Sequence, residues 1–303
     1  YLTDRTVDGI MVQKSTGYGT FSFYAAHPDN LPTWGVDGDS SMSVWELYAV
    51  AQLQFNEQWG LDIGGQAFIG DDRSTFDTSY SDPNPNAQYR IDNLWTIYGG
   101  LRFSFTQAVA LKGIYYYQNN SSEYDSNYYG QQGATSNWQD SQYDGDASAW
   151  KAILDINQHL LKFTSLWVEY SHLDEGFYLP YGNVALTLRD TDRWNSKDGG
   201  AGFMPGDTDI WRVGALQHWN DKWSTWAYVS QETIDGAGWS SSNYDMGGAE
   251  DAKMLQWGIG AEYQYNPNIA FALNYINVDW NSDAENVGYT DEQRIQFRTS
   301  VTF

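Results

Sequence analysis

The apolar residues of this chain recur at every second position through long stretches, and this period limits the folds that the chain can adopt. Between Trp45 and Phe55 the odd-numbered positions hold Trp, Leu, Ala, Ala, Leu and Phe, whereas Glu46, Gln52 and Gln54 occupy even-numbered positions. Successive side chains of a β-strand point to opposite faces, so this pattern predicts a strand with one apolar and one polar face. The helical period of 3.6 is almost absent, which predicts an all-β fold.

Thirteen segments show this pattern, and most are longer than ten residues. Soluble strands usually have about 5–6 residues, whereas a tilted strand needs about 9–11 residues to cross a bilayer. The length therefore favours membrane-spanning strands. The predicted strands are Arg5–Lys14, Tyr18–Ala26, Met42–Phe55, Trp59–Gly70, Arg90–Phe105, Ala108–Asn119, Ala147–Asn157, Leu160–His172, Thr208–His218, Trp223–Thr233, Ala252–Tyr265, Ile269–Trp280 and Gln293–Phe303.

The links between the predicted strands alternate strictly between short and long. All tight turns therefore fall at one end of the sheet, and all long polar loops fall at the other end. Outer-membrane β-barrels have this asymmetry, with short periplasmic turns and long extracellular loops. The sequence predicts one transmembrane antiparallel up-and-down β-barrel over residues 1–303.

The aromatic content fits such a barrel. The chain has 15 Trp, 23 Tyr and 13 Phe, yet its mean hydropathy is only −0.58. In a barrel only every second residue of a strand faces lipid and has to be apolar, and the others line a wet interior, which explains the low mean hydropathy. Aromatic rings settle at the two headgroup levels of a bilayer. The alternative is that the rings fill the core of a soluble protein. We expect one belt at the tight-turn ends (Trp59, Phe105, Trp223, Tyr265 and Phe303) and one nearer the long-loop ends (Trp95, Tyr170 and Trp280).

Charge and cysteine content exclude other classes of protein. The formal net charge is −23 and the chain has no cysteine, which argues against nucleic-acid binding and excludes a disulfide scaffold. No stretch approaches the roughly 18 apolar residues of a membrane helix. The first residues, Tyr1–Arg5, do not form a signal peptide, so we expect a chain that is mature or truncated at its start.

The last eight residues have a recognisable pattern. Gln296–Phe303 resembles the closing strand of bacterial outer-membrane proteins, in which apolar residues alternate and a C-terminal Phe is read by the assembly machinery. The layout as a whole is similar to that of the general-diffusion porins. Asp4–Ile10 and the loops rich in Tyr, Trp, Asn and Asp resemble the major porins of diderm Firmicutes, whose N-terminal S-layer-homology domain grips the cell wall. No such domain is present in this sequence.

The resemblance implies a water-filled channel in the bacterial outer membrane for the passive diffusion of small hydrophilic solutes and ions. It also implies a homotrimer in outer-membrane lipid and lipopolysaccharide, which would reach peptidoglycan or its polymers through the missing domain. A single-chain bacterial barrel has an even number of strands. Thirteen strands therefore predict that one or three are missing, giving 14 or, as in general porins, 16.

A constriction is expected if the full barrel has 16 strands. In general porins the third extracellular loop folds into the lumen, and here that loop is His27–Ser41. Its acidic residues Asp29, Asp37 and Asp39 are then candidates for the constriction. An ordinary solvated loop is an equal alternative.

Charged residues within the strands are expected on the wet inner face, because a charge on the lipid face costs roughly 2–4 kcal/mol at the midplane. Opposed basic and acidic rows would set up a transverse field; alternatively, each residue is solvated or belongs to an ion pair within the wall. The acidic loops predict a mild cation preference. The candidate pore-lining residues are Arg102, Lys112, Lys151, Arg212, Arg298, Glu46, Asp62, Asp92, Asp155, Glu169 and Glu262.

We expect no cofactor and no resident metal. Acidic clusters such as Asp37–Asp39 and Asp207–Asp209 could attract Ca²⁺ loosely through oxygen ligands, but none matches the twelve-residue calcium loop.

Three other functions have to be weighed. An enzyme is not expected, because none of the four histidines (His27, His159, His172 and His218) is flanked by a nucleophile motif. A structural barrel that tethers the membrane to the wall is open. A sugar-selective channel is also open, because aromatic loop residues could stack on sugar rings: Tyr124, Tyr128, Tyr129, Trp138 and Trp194.

Overall fold

The computed structural model describes residues 8–27, 45–69, 89–125, 138–140, 145–162, 164–179, 202–203, 206–235, 240–241, 244–245, 252–282 and 291–301. The strands are β1 (Asp8–Thr16), β2 (Gly19–His27), β3 (Trp45–Gln54), β4 (Trp59–Ile69), β5 (Tyr89–Thr106), β6 (Val109–Asp125), β7 (Trp138–Asp140), β8 (Gly145–Ile156), β9 (Ser165–Leu173), β10 (Tyr178–Leu179), β11 (Gly202–Phe203), β12 (Asp207–His218), β13 (Trp223–Asp235), β14 (Ser240–Ser241), β15 (Tyr244–Asp245), β16 (Ala252–Asn266), β17 (Ile269–Trp280) and β18 (Glu292–Val301). One short helix, α1 (Gln158–Leu161), lies between β8 and β9.

Thirteen long strands form one antiparallel up-and-down sheet. Their order is β1-β2-β3-β4-β5-β6-β8-β9-β12-β13-β16-β17-β18, and the short β7 pairs with β6. The predicted thirteen strands and the transmembrane up-and-down barrel architecture are confirmed. Within the described residues β1 and β18 are edge strands, each paired on one side, so this part of the sheet is open. The predicted total of 14 or 16 strands stays a prediction.

Two strands depart most from their predicted bounds: β6 continues to Asp125 instead of ending at Asn119, and β9 begins later than predicted. The sequence predicts a strand from Leu160, but helix α1 occupies residues 158–161 and β9 begins at Ser165. Lys162 has a φ of 63°, a left-handed conformation that ends the helix. Among the described residues, no helix has the length and apolar character needed to cross a membrane.

Side-chain oxygens shape the tight turns. Asn56, Asn220 and Thr106 each accept hydrogen bonds from the backbone N–H groups two and three residues later, at 2.8–3.1 Å. These local bonds satisfy backbone donors that the strand ladder leaves open. Because these side chains replace the missing backbone partners, the turns need only a few residues.

The two faces of the sheet have opposite character. Apolar side chains cover the outer face and are open to the surroundings; Ile97, Leu101 and Ile259 are 52–53% exposed. Polar side chains such as Glu46 and Gln66 are buried on the inner face. A soluble core would bury the first set and expose the second, so the soluble-core alternative is wrong.

Aromatic side chains gather near both ends of the outer face. At the tight-turn end, the ring centroids of Trp59 and Phe103 are 4.4 Å apart. Near the other end, those of Trp150 and Tyr170 are 5.0 Å apart. This placement suits rings that lie at the headgroup level of a bilayer.

One residue expected in the outer belts is elsewhere. Trp280 lies on the inner face, 6% exposed, where it packs in one cluster with Met254 and Val278. The expectation for Trp280 is wrong because this residue stands in the inner-face register of β17, alongside the buried Asn274. Phe303 lies outside the described residues.

Four aromatic rings of the inner face each lie over a glycine of the neighbouring strand. In every pair the two residues are direct partners in the strand register. A Cβ atom on Gly258 would lie 2.8 Å from the Tyr228 ring, and one on Gly214 would overlap the Trp167 ring. The glycines therefore supply the space that the rings occupy. The pairs are Tyr98 on Gly64, Trp167 on Gly214, Tyr228 on Gly258 and Trp226 on Gly260.

We predict that Gly214→Ala destabilises the folded sheet by about 1–3 kcal/mol, because the new methyl group would displace the Trp167 ring. The measurement is the urea unfolding midpoint in detergent micelles, followed by gel mobility with and without heating. Gly99→Ala is the matched control, since a Cβ atom on Gly99 meets nothing within 4 Å. Equal midpoints for the two variants would contradict the prediction.

Candidate channel lining and constriction

Most of the predicted pore-lining residues lie on the inner face of the sheet. The strand register and the burial pattern place them on the same side as Gln118 and Asn274. The side chain of Asp92 lies outside the described part of the chain. That the others line a pore stays a prediction. The residues found on the inner face are Arg102, Lys112, Lys151, Arg212, Arg298, Glu46, Asp62, Asp155, Glu169 and Glu262.

Three of these residues form a buried ion cluster on β8, β9 and β12. The Nζ atom of Lys151 lies 3.2 Å from Oε1 of Glu169, and Nη1 of Arg212 lies 3.6 Å from the same oxygen. The side chains of Lys151 and Glu169 are 2% and 3% exposed. Buried charges require partners, so this cluster is an integral part of the wall.

Further charged side chains of the inner face also bond along the wall. Lys112 Nζ lies 3.2 Å from Asp155 Oδ2, and Arg298 Nη2 lies 3.8 Å from Glu262 Oε2. Arg102 Nη2 donates to Gln54 Oε1 at 2.5 Å. These contacts match the alternative in which charged residues pair within the wall.

Glu46 is the most enclosed of the predicted acidic residues. It is fully buried, and its Oε1 accepts hydrogen bonds from Tyr24 Oη at 2.5 Å and from Gln66 Nε2. A carboxylate held in this way orders the wall around it. Asp62, by contrast, is exposed on the same face.

Sequence reasoning missed three charged residues of the inner face. Glu232 is buried there on β13, and Glu292 and Arg294 lie on β18, where Arg294 Nη2 is 2.8 Å from Glu292 Oε1. All three occupy the even-numbered, inner-face positions of their strands. Strict alternation could therefore have identified them.

The chain that follows β9 folds back over the inner face of the sheet. We call residues Asp174–Leu179 the inward segment. Gly176 has a φ of 78°, and the N–H of Phe177 donates to the Asp174 carbonyl at 3.1 Å, so the segment begins with a tight turn. Glycine adopts this left-handed conformation at no steric cost. The turn directs the chain across β8 towards β6.

Gln118 of β6 holds the inward segment by its backbone. The N–H of Tyr178 donates to Gln118 Oε1 at 2.6 Å, and Gln118 Nε2 donates to the Tyr178 carbonyl at 3.0 Å. The same Nε2 also donates to Thr96 Oγ1 on β5 at 3.0 Å. Gln118 is 1% exposed, so these bonds are shielded from water.

Aromatic packing seals the inward segment against the wall. The fully buried Phe177 meets Tyr116 edge-on with ring centroids 6.4 Å apart. Tyr116 continues a row of inner-face tyrosines through Tyr98, Tyr48 and Tyr24, with centroids 5.1–6.4 Å apart. The segment starts after β9 and crosses β8 to reach β6. On β8 the buried inner-face residues Ala147 and Ala149 are small, which leaves room for the segment. The segment and this tyrosine row together fill space on the inner face of β2–β9.

Two contacts bring the chain back towards β12. Strand β10 of the inward segment pairs with β11, and the N–H of Glu175 donates to Asp207 Oδ1 at 2.9 Å. The inward segment is thereby bonded to β6, β11 and β12.

The loop expected to form the constriction lies outside the described residues. Residues 28–44 are not described, so the placement of Asp29, Asp37 and Asp39 stays a prediction. The inward segment belongs instead to residues 173–207, one of the long polar links between the predicted strands. The run Gly176–Leu179 (Gly-Phe-Tyr-Leu) is apolar, and this was the available signal for burial.

A cavity of about 670 Å³ lies at the tight-turn end of the inner face. Its lining includes Arg102, Lys112, Asp155, Gln158 and His218. Charged and amide groups of this kind favour water and polar solutes over apolar ones. The cavity therefore presents charged and amide groups at this end, beside apolar side chains such as Val109 and Leu216.

Two residues of the acidic clusters have local roles. Asp207 accepts the Glu175 N–H, and Asp209 Oδ1 accepts from Tyr170 Oη at 2.5 Å. Loose calcium binding stays a prediction.

No protein-family model matches the chain, and no curated protein sequence matches it. Solved structures do share its fold. The outer membrane protein OprD of Pseudomonas aeruginosa has a TM-score of 0.52 at 11% identity, over 97% of this chain and 67% of its own. OccD3 (OpdP) of the same organism has a TM-score of 0.54 at 11% identity, over 98% and 69%. The outer membrane channel DcaP of Acinetobacter baumannii has a TM-score of 0.52 at 10% identity, over 97% and 84%.

We predict that Lys151→Met destabilises the protein more than Lys112→Met. Removing Lys151 leaves the buried Glu169 with Arg212 as its remaining partner in the cluster, and breaking a buried pair costs up to about 3–5 kcal/mol. Lys112 is 34% exposed and its pair with Asp155 is solvated, so its loss costs about 0–1 kcal/mol. Urea midpoints measure both. A larger loss for Lys112→Met would contradict the prediction.

The sheet thus presents an exposed apolar face and an enclosed, charged inner face that is partly covered by a folded-in segment. This architecture, a transmembrane antiparallel up-and-down β-barrel, is the one shared with OprD, OccD3 and DcaP.

Proposed function

We propose that this chain forms the wall of a water-filled channel in the bacterial outer membrane, through which small hydrophilic solutes and ions diffuse passively. The inside-out distribution of side chains carries this proposal: Ile97 and Ile259 are exposed on one face while Glu46 and Glu169 are enclosed on the other. The shared fold with an outer membrane protein and an outer membrane channel supports the location.

The inward segment sets the width of the proposed channel. Its contacts with Gln118 and Tyr116 hold it over the wall, where it takes up cross-section that a bare barrel would leave to water. A segment held by backbone hydrogen bonds and packed rings keeps a fixed position. The channel is therefore constricted by the loop that follows β9.

The selectivity of the channel is proposed to be a mild preference for cations. On the described inner face, basic and acidic side chains are nearly balanced and many are paired. The chain as a whole has 39 acidic and 16 basic residues, so most of the acidic excess lies elsewhere. An acidic entrance concentrates cations without a strongly charged constriction.

We predict ion conduction by the purified protein in a planar bilayer, with a reversal potential displaced towards the cation equilibrium potential in a salt gradient. The displacement should shrink as ionic strength rises, because salt screens the acidic loops. An anion preference would refute the selectivity. A protein that inserts but carries no current would refute the channel and favour a structural barrel.

We predict that Gln118→Ala increases single-channel conductance and current noise. The variant removes the two hydrogen bonds that join Gln118 to the segment, of about 1 kcal/mol each, so the population with a displaced segment rises about 30-fold. Gln256→Ala is the matched control: Gln256 is also a buried inner-face glutamine, but it bonds to Tyr228 on another part of the wall. Equal conductance in the two variants would contradict the role of the inward segment.

A sugar-selective channel is the second candidate. The described tyrosine row does not support it, because Tyr48, Tyr98 and Tyr116 are at most 7% exposed and offer no free ring faces. The side chains of Tyr124 and Trp138 lie outside the described part. Blockade of the current by oligosaccharides would favour this candidate over general diffusion.

The proposed partners follow from the resemblance to porins. We expect a homotrimer in outer-membrane lipid and lipopolysaccharide, and contact with peptidoglycan or its polymers through an S-layer-homology domain outside this sequence. Native mass measurement of detergent-extracted protein tests the trimer.

A further inference from the structure

His172 lies where β9 ends and the inward segment begins. Its two ring nitrogens both face carboxylate oxygens: Nδ1 is 2.8 Å from Asp209 Oδ1, and Nε2 is 3.2 Å from Asp174 Oδ1. A carboxylate oxygen accepts hydrogen bonds but does not donate when ionised. Both contacts are therefore hydrogen bonds only if both ring nitrogens carry a proton, which makes the ring an imidazolium cation.

Asp174 joins His172 to the inward segment. Its Oδ2 accepts from the N–H of Ser148 at 2.7 Å and from Ser148 Oγ at 2.6 Å. Its backbone N–H donates to the Ser148 carbonyl at 2.9 Å, and its own carbonyl accepts from Phe177. The first residue of the segment is thus fixed to β8 through Ser148 and to β9 through His172.

A neutral imidazole can donate only one of the two hydrogen bonds. The contact with Asp209 is the shorter one, and Asp209 also holds Tyr170, so we expect the neutral ring to keep that bond. Nε2 would then present a lone pair to the ionised Asp174. Deprotonation therefore replaces an attraction at the base of the inward segment with a repulsion.

The charged groups around His172 are acidic. Asp209 contacts it from β12 and Asp174 contacts it from the segment. Asp207, Glu175 and Asp146 stand on the same three packed elements (β12, the segment and β8), and the Trp150 ring centroid is 6.4 Å away. Burial, helped by the nearby Asp207 carboxylate, raises the pKa of Glu175 above its ordinary value. Carboxylates close to an imidazole favour its charged form.

We propose that His172 is a pH-sensitive clasp, which holds the inward segment while the imidazole is protonated and loosens it when the imidazole becomes neutral. Histidine is the side chain that changes charge between about pH 5 and 8. The clasp is complete at the acidic end of this range, provided that Asp174 and Asp209 are ionised, and is lost as the pH rises. This inference rests on the proposed channel for its effect on current, but not for the movement itself.

The absence of cysteine from the chain allows a test that does not need conduction. Tyr178→Cys places a thiol at a position that is 1% exposed while the segment is in place. Its reaction rate with a water-soluble maleimide is measured at about pH 6 and about pH 8.5, with and without His172→Gln. Comparing these two backgrounds cancels the effect of pH on the thiol. Gel mobility with and without heating verifies folding.

For each background, the labelling rate at the higher pH is divided by the rate at the lower pH. We expect this ratio to be about tenfold larger when His172 is present than in the His172→Gln background, because neutral His172 has lost one charge-assisted hydrogen bond. His159→Gln is the control, because His159 is exposed on helix α1 and should leave the ratio unchanged. Equal ratios in the His172 and His172→Gln backgrounds would overturn the clasp.

Conductance provides the second readout. In the otherwise unchanged protein, current should rise between about pH 6 and about pH 8.5, and His172→Gln should remove this rise. If labelling follows the expected pattern but no current flows, the channel proposal fails and the clasp stands. If current flows, is independent of pH in both proteins and the labelling ratios are equal in the two backgrounds, the clasp fails and the channel proposal stands.

Discussion

Hydrogen bonding of the backbone in lipid is the constraint on which this structure depends. Hydrocarbon offers no partner for a peptide N–H or C=O group, so strands that span a membrane must pair with one another. Each described long strand pairs antiparallel with its sequence neighbours. Once backbone pairing is satisfied in this way, one side of every strand must be compatible with lipid, and polar chemistry is confined to the other side. The exposed Ile97 and the enclosed Glu169 are consequences of the same rule.

Much of this architecture could be predicted from sequence because it depends on a local pattern. The alternation around Leu47, Ile97 and Trp257 identified the strands and showed which face of each strand is apolar. Strict alternation of inward and outward positions would also have identified Glu232 as an inner-face residue. Trp280 shows the limit of this reasoning. A large aromatic residue near a strand end suits either an aromatic belt in lipid or a cluster on the inner face. Only the position of Trp280 in the alternation of β17, and its packing with Met254, decide between the two.

The inward segment could not be predicted in the same way. Its principal contact joins Gln118 to Tyr178, sixty residues apart along the chain, and neither residue is unusual in its local sequence. The same reason explains how chains with 10–11% identity share this fold. Many residues satisfy an alternation of apolar and polar positions, whereas a particular loop contact depends on individual side chains. The wall thus depends on a general pattern, whereas the position of the inward segment depends on individual side chains such as Gln118.

The rings that lie over glycines also bear on how the strands find their correct neighbours during assembly. Backbone pairing alone would tolerate a slip of β9 by two residues against β12, since the same faces would remain in place. Such a slip would set Trp167 against Arg212 or Leu216 instead of Gly214, and both side chains occupy the volume that the indole needs. The glycines therefore select one alignment among several with equivalent ladders, and protect the sheet from misregistered, trapped forms.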